Sequence, residues 1–69
     1  MASEPRVGDE VEWNTPQGVT HGRVVRRLTR RTHVEGTVIA ATPDDPRWLV
    51  ESATTGRRAA HTADALRPR

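Results

Sequence analysis

The chain has 69 residues, of which 33% are hydrophobic and 29% are charged, which suits one small globular domain of modest stability. It contains no cysteine, and this excludes a disulfide framework, a thiolate metal site and a cysteine nucleophile. All 11 basic residues are arginine against 9 acidic residues, so the formal net charge is only +2, and the sign of the charge alternates from segment to segment. The first ten residues lack the apolar core of a signal peptide, and no stretch approaches the roughly 20 apolar residues of a membrane span, so we expect a cytoplasmic protein.

The segment 11–24 predicts a β-hairpin. Its turn is Thr15–Gly18, because proline presets the backbone angle φ at the second turn position and glycine is favoured at the fourth. A loop of two or four residues places Trp13 and Gly22 on the same face, whereas a three-residue loop would set Trp13 beside His21. We therefore expect Trp13 in the core, with room for its ring left by Gly22. The residues predicted to point inward are Val11, Trp13, Thr20, Gly22 and Val24.

The second strand of this hairpin runs into an arginine-rich stretch. Strict alternation from Val24 would bury Arg26, which is costly for a charge without a partner. We therefore expect a bend or a β-bulge near Val25.

Residues 33–41 predict a third strand, followed by a turn at Thr42–Pro46 that is dense in turn-forming residues. Folding the chain back at that turn pairs this strand with the one that follows it. The register places Ile39 beside Leu49 on the outer face, where they would form a small exposed apolar patch. The residues of the third strand predicted to point inward are Val34, Gly36, Val38 and Ala40.

The remainder of the chain predicts a turn, a strand and one helical turn. Ser52–Gly56 reads as the turn, with a positive φ at its glycine, and Arg57–His61 as a short final strand. Thr62 is suited to cap a single helical turn that ends at Leu66, whose side chain would close one end of the core. We expect residues 67–69 to be disordered.

Five short strands in so small a chain predict an all-β fold, a five-stranded antiparallel SH3-like barrel that is partly open and ends in a short C-terminal helical turn. An OB-like barrel is less favoured because it usually needs a longer chain. We expect residues 1–69 to form a single domain that is ordered from about residue 6 to residue 66.

Short motifs are spread along almost the whole chain. They are Gly8-Asp9, Val11, Trp13-Asn14, Gly18, His21-Gly22, Val24, Asp44-Asp45-Pro46, Leu49-Val50, Ser52, Thr55-Gly56, Ala60-His61 and Leu66. In this combination, over about residues 7 to 66, the chain resembles the Tudor-like domain of hypervirulence-associated proteins, which are small bacterial and fungal chains of largely unassigned activity. The resemblance implies a five-stranded SH3-like or Tudor-like barrel and no known reaction. The chain departs from the usual pattern in using arginine where lysine is expected and Trp48 where tyrosine is expected, and neither change threatens the fold.

The stretch 23–31 is the strongest candidate site. Its guanidinium groups, with no acidic residue among them, are suited to bidentate contacts with the phosphates of RNA or DNA. The alternative, which we favour, is a solvated strand end and loop, because neighbouring acidic segments would dilute the positive field. The candidate nucleic-acid-binding residues are Arg23, Arg26, Arg27, Arg30, Arg31 and His21.

Other site classes find little support in the sequence. The three histidines match no common zinc spacing, and we expect no metal and no cofactor. Asp44 and Asp45 are typical of a turn, and no pattern predicts a nucleophile or a phosphate-binding loop, so we expect no enzymatic activity. A cage for methylated lysine or arginine needs several exposed aromatic rings, whereas this chain has two tryptophans, both assigned to the core.

The leading hypothesis is therefore a non-catalytic binding module whose partner is a protein or peptide that contacts the outer face near Ile39 and Leu49. The alternative is RNA or DNA binding through the arginine-rich stretch. We expect no membrane partner.

Overall fold

The computed structural model describes residues 4–69 and consists almost entirely of short strands. Residues 1–3, which the predicted domain bounds include, lie outside the described residues. The elements in chain order are β1 (Glu10–Thr15), β2 (Gly18–Leu28), β3 (Thr32–Val34), β4 (Thr37–Ile39), β5 (Arg47–Ser52), β6 (Arg58–His61), the 3₁₀ turn η1 (Ala63–Ala65) and β7 (Arg67–Pro68).

Five of the strands form one antiparallel sheet in the order β6-β5-β2-β1-β7, and β3 and β4 form a separate two-stranded hairpin. Within residues 4–69 no strand pairing joins β6 to β7, so the sheet is not closed into a complete barrel. The β3–β4 hairpin lies against β6, and the backbone N–H of Arg58 donates a hydrogen bond to the Glu35 carboxylate at 3.2 Å. The predicted all-β class, with a five-stranded antiparallel sheet and a short helical turn, is confirmed.

The first hairpin has the predicted register. Trp13 lies opposite Thr20, and Thr15 lies opposite Gly18, which leaves Pro16 and Gln17 as a two-residue loop. The Thr15 hydroxyl donates a hydrogen bond to the Gly18 carbonyl oxygen at 2.8 Å and so closes the turn with its own side chain.

The predicted bulge in β2 is also present. Val24 pairs with Val50 but Arg26 pairs with Leu49, so the register between β2 and β5 shifts at Val25. One extra residue on β2 turns Arg26 to the solvent, and the strand returns to the core at Leu28, a residue that is buried.

The core consists of two clusters on either side of this bulge. Gly22 lies beside the first cluster at the closest approach of two strands: a Cβ atom there would overlap the backbone carbonyl of Glu51 and lie 3.0 Å from Cη2 of Trp13. The prediction that Gly22 makes room for the Trp13 ring is confirmed, and the backbone of β5 imposes the tighter limit. The first cluster contains Val11, Trp13, Val24, Trp48, Val50 and Leu66, and the second contains Leu28, Val34, Ala41 and Leu49.

The prediction of one continuous strand over residues 33–41 is wrong. The chain instead turns sharply at Glu35 (φ 51°) and Gly36 (φ 80°), and β3 pairs with β4 across this two-residue loop. Two successive positive φ angles are the geometry of a tight hairpin turn. At the second position Gly36 adopts its positive φ without strain. Pairing with β5 is not available to this segment, because β5 already pairs with β2 on one edge and with β6 on the other.

This turn changes which side chains of the segment face the core. Val38, predicted to point inward, is 43% exposed, whereas Ala41, which was not among the residues predicted to point inward, is buried. Leu49 is only 8% exposed and belongs to the second core cluster, and Ile39 is half-buried against the same cluster. The predicted exposed patch of Ile39 and Leu49 is therefore wrong.

The C-terminal segment is partly as predicted. Leu66 follows η1 and is buried in the first core cluster, as expected, but the Thr62 side chain makes no capping hydrogen bond. Residues 67–69 were expected to be disordered, and this is wrong, since Arg67 and Pro68 form β7 on the edge of β1. The Arg69 N–H donates to the Glu10 carbonyl oxygen at 3.1 Å, which gives the otherwise open edge of β1 a partner.

Replacing Gly22 with alanine is expected to lower the free energy of unfolding by about 3 kcal/mol or more, because neither the β5 backbone nor the Trp13 ring can move away at low cost. Urea unfolding followed by tryptophan fluorescence measures the loss. Val19→Ala on the exposed part of the same strand is the control, with an expected change of about 1 kcal/mol or less. A Gly22→Ala protein as stable as the wild type would contradict the close approach of β2 and β5.

Removing residues 67–69 is expected to lower the free energy of unfolding by about 1 to 2 kcal/mol, because the edge of β1 loses the hydrogen bonds made by β7. The Arg69→Gln protein is the control, since it keeps the backbone hydrogen bond and loses only the charge. Equal urea midpoints for the truncated and full chains would show that β7 contributes nothing.

Candidate nucleic-acid interface

Four arginines meet around the end of β2 and the loop that leads to β3. Arg26 and Arg27 lie on the strand just after the bulge, and Arg30 and Arg31 lie in the loop. Together with their neighbours they line one shallow groove, which we call the arginine surface. It is lined by Arg26, Arg27, Leu28, Thr29, Arg30, Arg31, Thr32 and His33.

Local structure places these side chains in the solvent. The bulge at Val25 removes Arg26 from the inward-facing register, and Leu28 anchors the strand end in the second core cluster. In the loop, the Thr32 hydroxyl donates a hydrogen bond to the Arg30 carbonyl oxygen at 2.8 Å, and this contact holds the start of β3 against the loop.

The arginine surface has little internal charge compensation. No carboxylate lines the groove, and among residues 4–69 Arg26, Arg30 and Arg31 form no ion pair. Arg27 differs, because its Nε lies 3.9 Å from a carboxylate oxygen of Glu4 and its guanidinium carbon lies 5.7 Å from the ring centroid of Trp48. An exposed ion pair at that distance is weak, so the surface retains most of its positive field.

Some of the carboxylates expected to dilute this field are engaged elsewhere. Four of them pair with arginines of β5, β6, β7 and the loop just before β6, and none of these arginines lies in the groove. Two of these pairs, Glu51–Arg58 and Glu12–Arg67, face each other across neighbouring strands, as expected for an alternating charge pattern. The pairs are Asp45–Arg47, Glu35–Arg57, Glu51–Arg58 and Glu12–Arg67, with N–O separations of 2.6 to 4.0 Å.

Two of the predicted nucleic-acid-binding residues lie elsewhere. Arg23 precedes the bulge and pairs with Glu10 of β1 and Glu51 of β5 in the strand register. It lines a separate depression together with His21, which is half-buried. His33, which was not among the predicted residues, also belongs to the arginine surface. The signal for it in the sequence is that His33 directly precedes the buried Val34 and therefore points to the outside of β3.

Both tryptophans are withdrawn from the solvent, as predicted. Trp13 is 3% exposed and Trp48 is 2% exposed. The indole Nε1–H of Trp48 donates a hydrogen bond to the Pro5 carbonyl oxygen at 2.9 Å, which satisfies its one polar group. Neither ring presents the open face that an aromatic cage for a methylated side chain requires.

The histidines do not assemble a metal site in the part of the chain described, since no group of three or more histidine, aspartate or glutamate side chains is arranged to hold a metal ion. His61 packs against Trp13, with the ring centroids 5.8 Å apart, and its buried Nε2 has no hydrogen-bond partner. Burial lowers the pKa of His61 below its ordinary value of 6.5, because the charged form loses its hydration.

The turn before β5 is stabilised by its own side chains. The Arg47 guanidinium donates a 2.6 Å hydrogen bond to the Asp45 carboxylate, and this contact lowers the pKa of Asp45 below its ordinary value of 3.8. The Asp45 N–H donates to the Thr42 hydroxyl at 3.0 Å. Through these contacts Asp45 stabilises the turn.

The fold defines a class: a small all-β domain built on one five-stranded antiparallel sheet. The chain belongs to the family described as hypervirulence associated proteins TUDOR domain, whose model matches residues 8–66. This membership confirms the family to which the sequence motifs pointed. No curated protein and no solved structure gave a significant match. Among the described residues, no helix has the length and apolar character needed to cross a membrane.

The stability of the domain is expected to fall as the pH drops below about 6.5, because His61 accepts a proton more readily in the unfolded chain than in the folded one. The loss accumulates between the unfolded-state pKa and the lower folded-state pKa and then stops growing. Thermal unfolding at several pH values from about 7.5 to 5 measures it. His61→Phe, which keeps a ring against Trp13, should reduce the dependence.

Val19→Ala is the control, since it changes an exposed side chain that carries no titratable group and should leave the pH dependence of the wild type unchanged. An unchanged dependence in His61→Phe would assign the effect to other groups.

Proposed function

We propose that this domain is a non-catalytic module that binds nucleic acid through contacts between the arginine surface and the phosphate backbone. One observation carries the proposal: four guanidinium groups share a single groove with no carboxylate among its lining residues. Three of them, on Arg26, Arg30 and Arg31, have no ion-pair partner within residues 4–69 and are available to a ligand.

Arginine suits this ligand for geometric and electrostatic reasons. A planar guanidinium can donate two parallel hydrogen bonds to one phosphate, and it keeps its charge at all physiological pH values. Each phosphate neutralised also releases condensed counterions, so affinity falls steeply as salt rises. With four phosphates contacted, the affinity for a duplex is expected to fall about 150-fold between 50 and 200 mM salt.

The module is proposed to act by binding alone. Tudor-type domains are generally non-catalytic, and this agrees with a shallow groove lined mainly by arginine and threonine. A reducing cell interior, which the cysteine-free sequence favours, also contains RNA and DNA.

A protein or peptide partner at Ile39 and Leu49 was the leading hypothesis from the sequence. Burial of Leu49 removes the premise of that hypothesis, because no patch of the two side chains is open to a partner. The large exposed apolar residues among those described, Val7, Val19 and Val38, belong to three different segments. A protein partner at another surface stays a prediction, and the arginine surface is the better supported site.

Neutralising the two loop arginines in the Arg30→Gln/Arg31→Gln protein is expected to weaken the binding of short RNA and DNA oligonucleotides at least about tenfold at low salt, because two phosphate contacts are lost. Amide chemical-shift titration at about 50 and 200 mM salt measures both the affinity and the residues involved. Shifts should concentrate on residues 26–33 and shrink at the higher salt.

Arg23→Gln/Arg57→Gln is the matched control, because it also removes two charges, from exposed arginines that lie outside the arginine surface. Equal weakening by this variant would show that net charge, rather than the arginine surface, governs binding. The proposal is overturned if the wild-type protein shows no shifts with either nucleic acid at low salt.

A further inference from the structure

We infer that the arginine surface takes double-helical nucleic acid in preference to a single strand, and that it contacts the phosphates without reading the bases. This inference rests on the proposed function and narrows its ligand class. It follows from the aromatic side chains of the domain, from the composition of the groove and from the charge density of the two kinds of ligand.

Proteins that hold single strands usually stack the bases on exposed aromatic rings, which contribute about 1 to 3 kcal/mol per base. This chain has no tyrosine and no phenylalanine, and its two tryptophans are buried. Trp48 lies beside the arginine surface, and the guanidinium of Arg27 lies over its ring at 5.7 Å. Its indole N–H is bound to the Pro5 carbonyl, so the ring is held in place under that cover.

Most of the remaining lining of the groove is polar. Besides the arginines it consists of Thr29, Thr32, His33 and the buried Leu28, and the Thr32 hydroxyl already donates to the Arg30 carbonyl. Arginine and threonine can also contact base edges, but these lie about 8.5 Å deep in the major groove, whereas a shallow groove in the protein meets the phosphate oxygens on the outside of the helix, which are the same at every position. Binding through this surface is therefore expected to show little dependence on base sequence.

Charge density then favours the duplex. A double helix carries one negative charge about every 1.7 Å of its axis, against about 3.4 Å along one strand, and it releases more counterions for each phosphate neutralised. With at most four phosphates contacted, the slope of log affinity against log salt is expected to be about −3.6 for a duplex and about −2.8 for a single strand. A single strand finds no tyrosine, no phenylalanine and no exposed tryptophan here on which to stack and so offset that difference.

The test is fluorescence anisotropy of a labelled DNA duplex of about 12 base pairs, compared with one of its separated strands. At roughly 3.4 Å per base pair, this duplex exceeds the 34 Å longest dimension of the domain. At about 50 mM salt we expect the duplex to bind at least about tenfold more tightly than the strand, and its salt slope to lie near −3.6. An A·T-rich and a G·C-rich duplex should compete equally well.

Two variants identify the surface. Arg26→Gln should reduce the magnitude of the duplex salt slope by about 0.9, because it removes one phosphate contact. Arg57→Gln is the matched control, since Arg57 is a highly exposed arginine that lies outside the arginine surface, and it should leave the slope unchanged. A slope that changes with Arg57→Gln and not with Arg26→Gln would overturn the assignment to this surface.

The outcomes separate this inference from the proposed function. A single strand that binds as tightly as the duplex, or more tightly, would overturn the inference and leave nucleic-acid binding intact, since the bases would then stack on the guanidinium planes. A preference above about tenfold between the two duplex compositions would overturn the phosphate-only contact. If neither duplex nor strand binds at low salt, both the inference and the proposed function fail.

Discussion

The close approach of β2 and β5 at Gly22 is the constraint on which the rest of this domain depends. β2 is the central strand of the sheet, and at Gly22 the absence of a side chain lets the β5 backbone and the edge of the Trp13 ring share one space. Trp13 thereby enters the cluster that holds Trp48 and Val50, the middle of a core with only ten buried hydrophobic residues among residues 4–69. A domain of this size has little stability to spare, so a contact that positions one of its two tryptophans governs whether the sheet forms at all.

The bulge at Val25 connects this core to the surface that we propose binds nucleic acid. Before the bulge, β2 alternates regularly and places Val24 in the first core cluster; after it, Arg26 and Arg27 both lie outside, and Leu28 enters the second cluster. The same device that keeps a charged group out of the core therefore brings two guanidinium groups together at the strand end. The loop that follows adds two more from a position fixed by the start of β3.

Ion pairs with carboxylates determine how much positive potential the arginine surface keeps. The net charge of +2 suggests near neutrality, but the fold distributes its carboxylates unevenly. Glu12 and Glu51 reach arginines of β7 and β6, and Glu35 reaches Arg57 from the tip of the β3–β4 hairpin. The arginine surface is left with only one ion pair among the described residues, that of Arg27 with Glu4, which lies at the long distance of 3.9 Å. An uneven distribution of this kind raises the local potential without a large net charge.

Local patterns in the sequence were sufficient to predict the all-β class and the first hairpin with its register. They also predicted the burial of both tryptophans, the bulge near Val25 and the turn that ends with Gly56 at φ 73°. Each of these follows from neighbours close in the chain: a turn residue, an alternation of side chains, or a charge that cannot be buried alone. The segment 33–41 was misread, because its alternation is equally compatible with one strand and with a hairpin that turns at Gly36. Only the tertiary structure decides between them, since β5 has both edges occupied by strands distant in sequence. The pairing of β7 with β1, the burial of Leu49 and the separation of Arg23 from the other four arginines have the same origin: each depends on which distant strand lies alongside, and no local pattern encodes that neighbour.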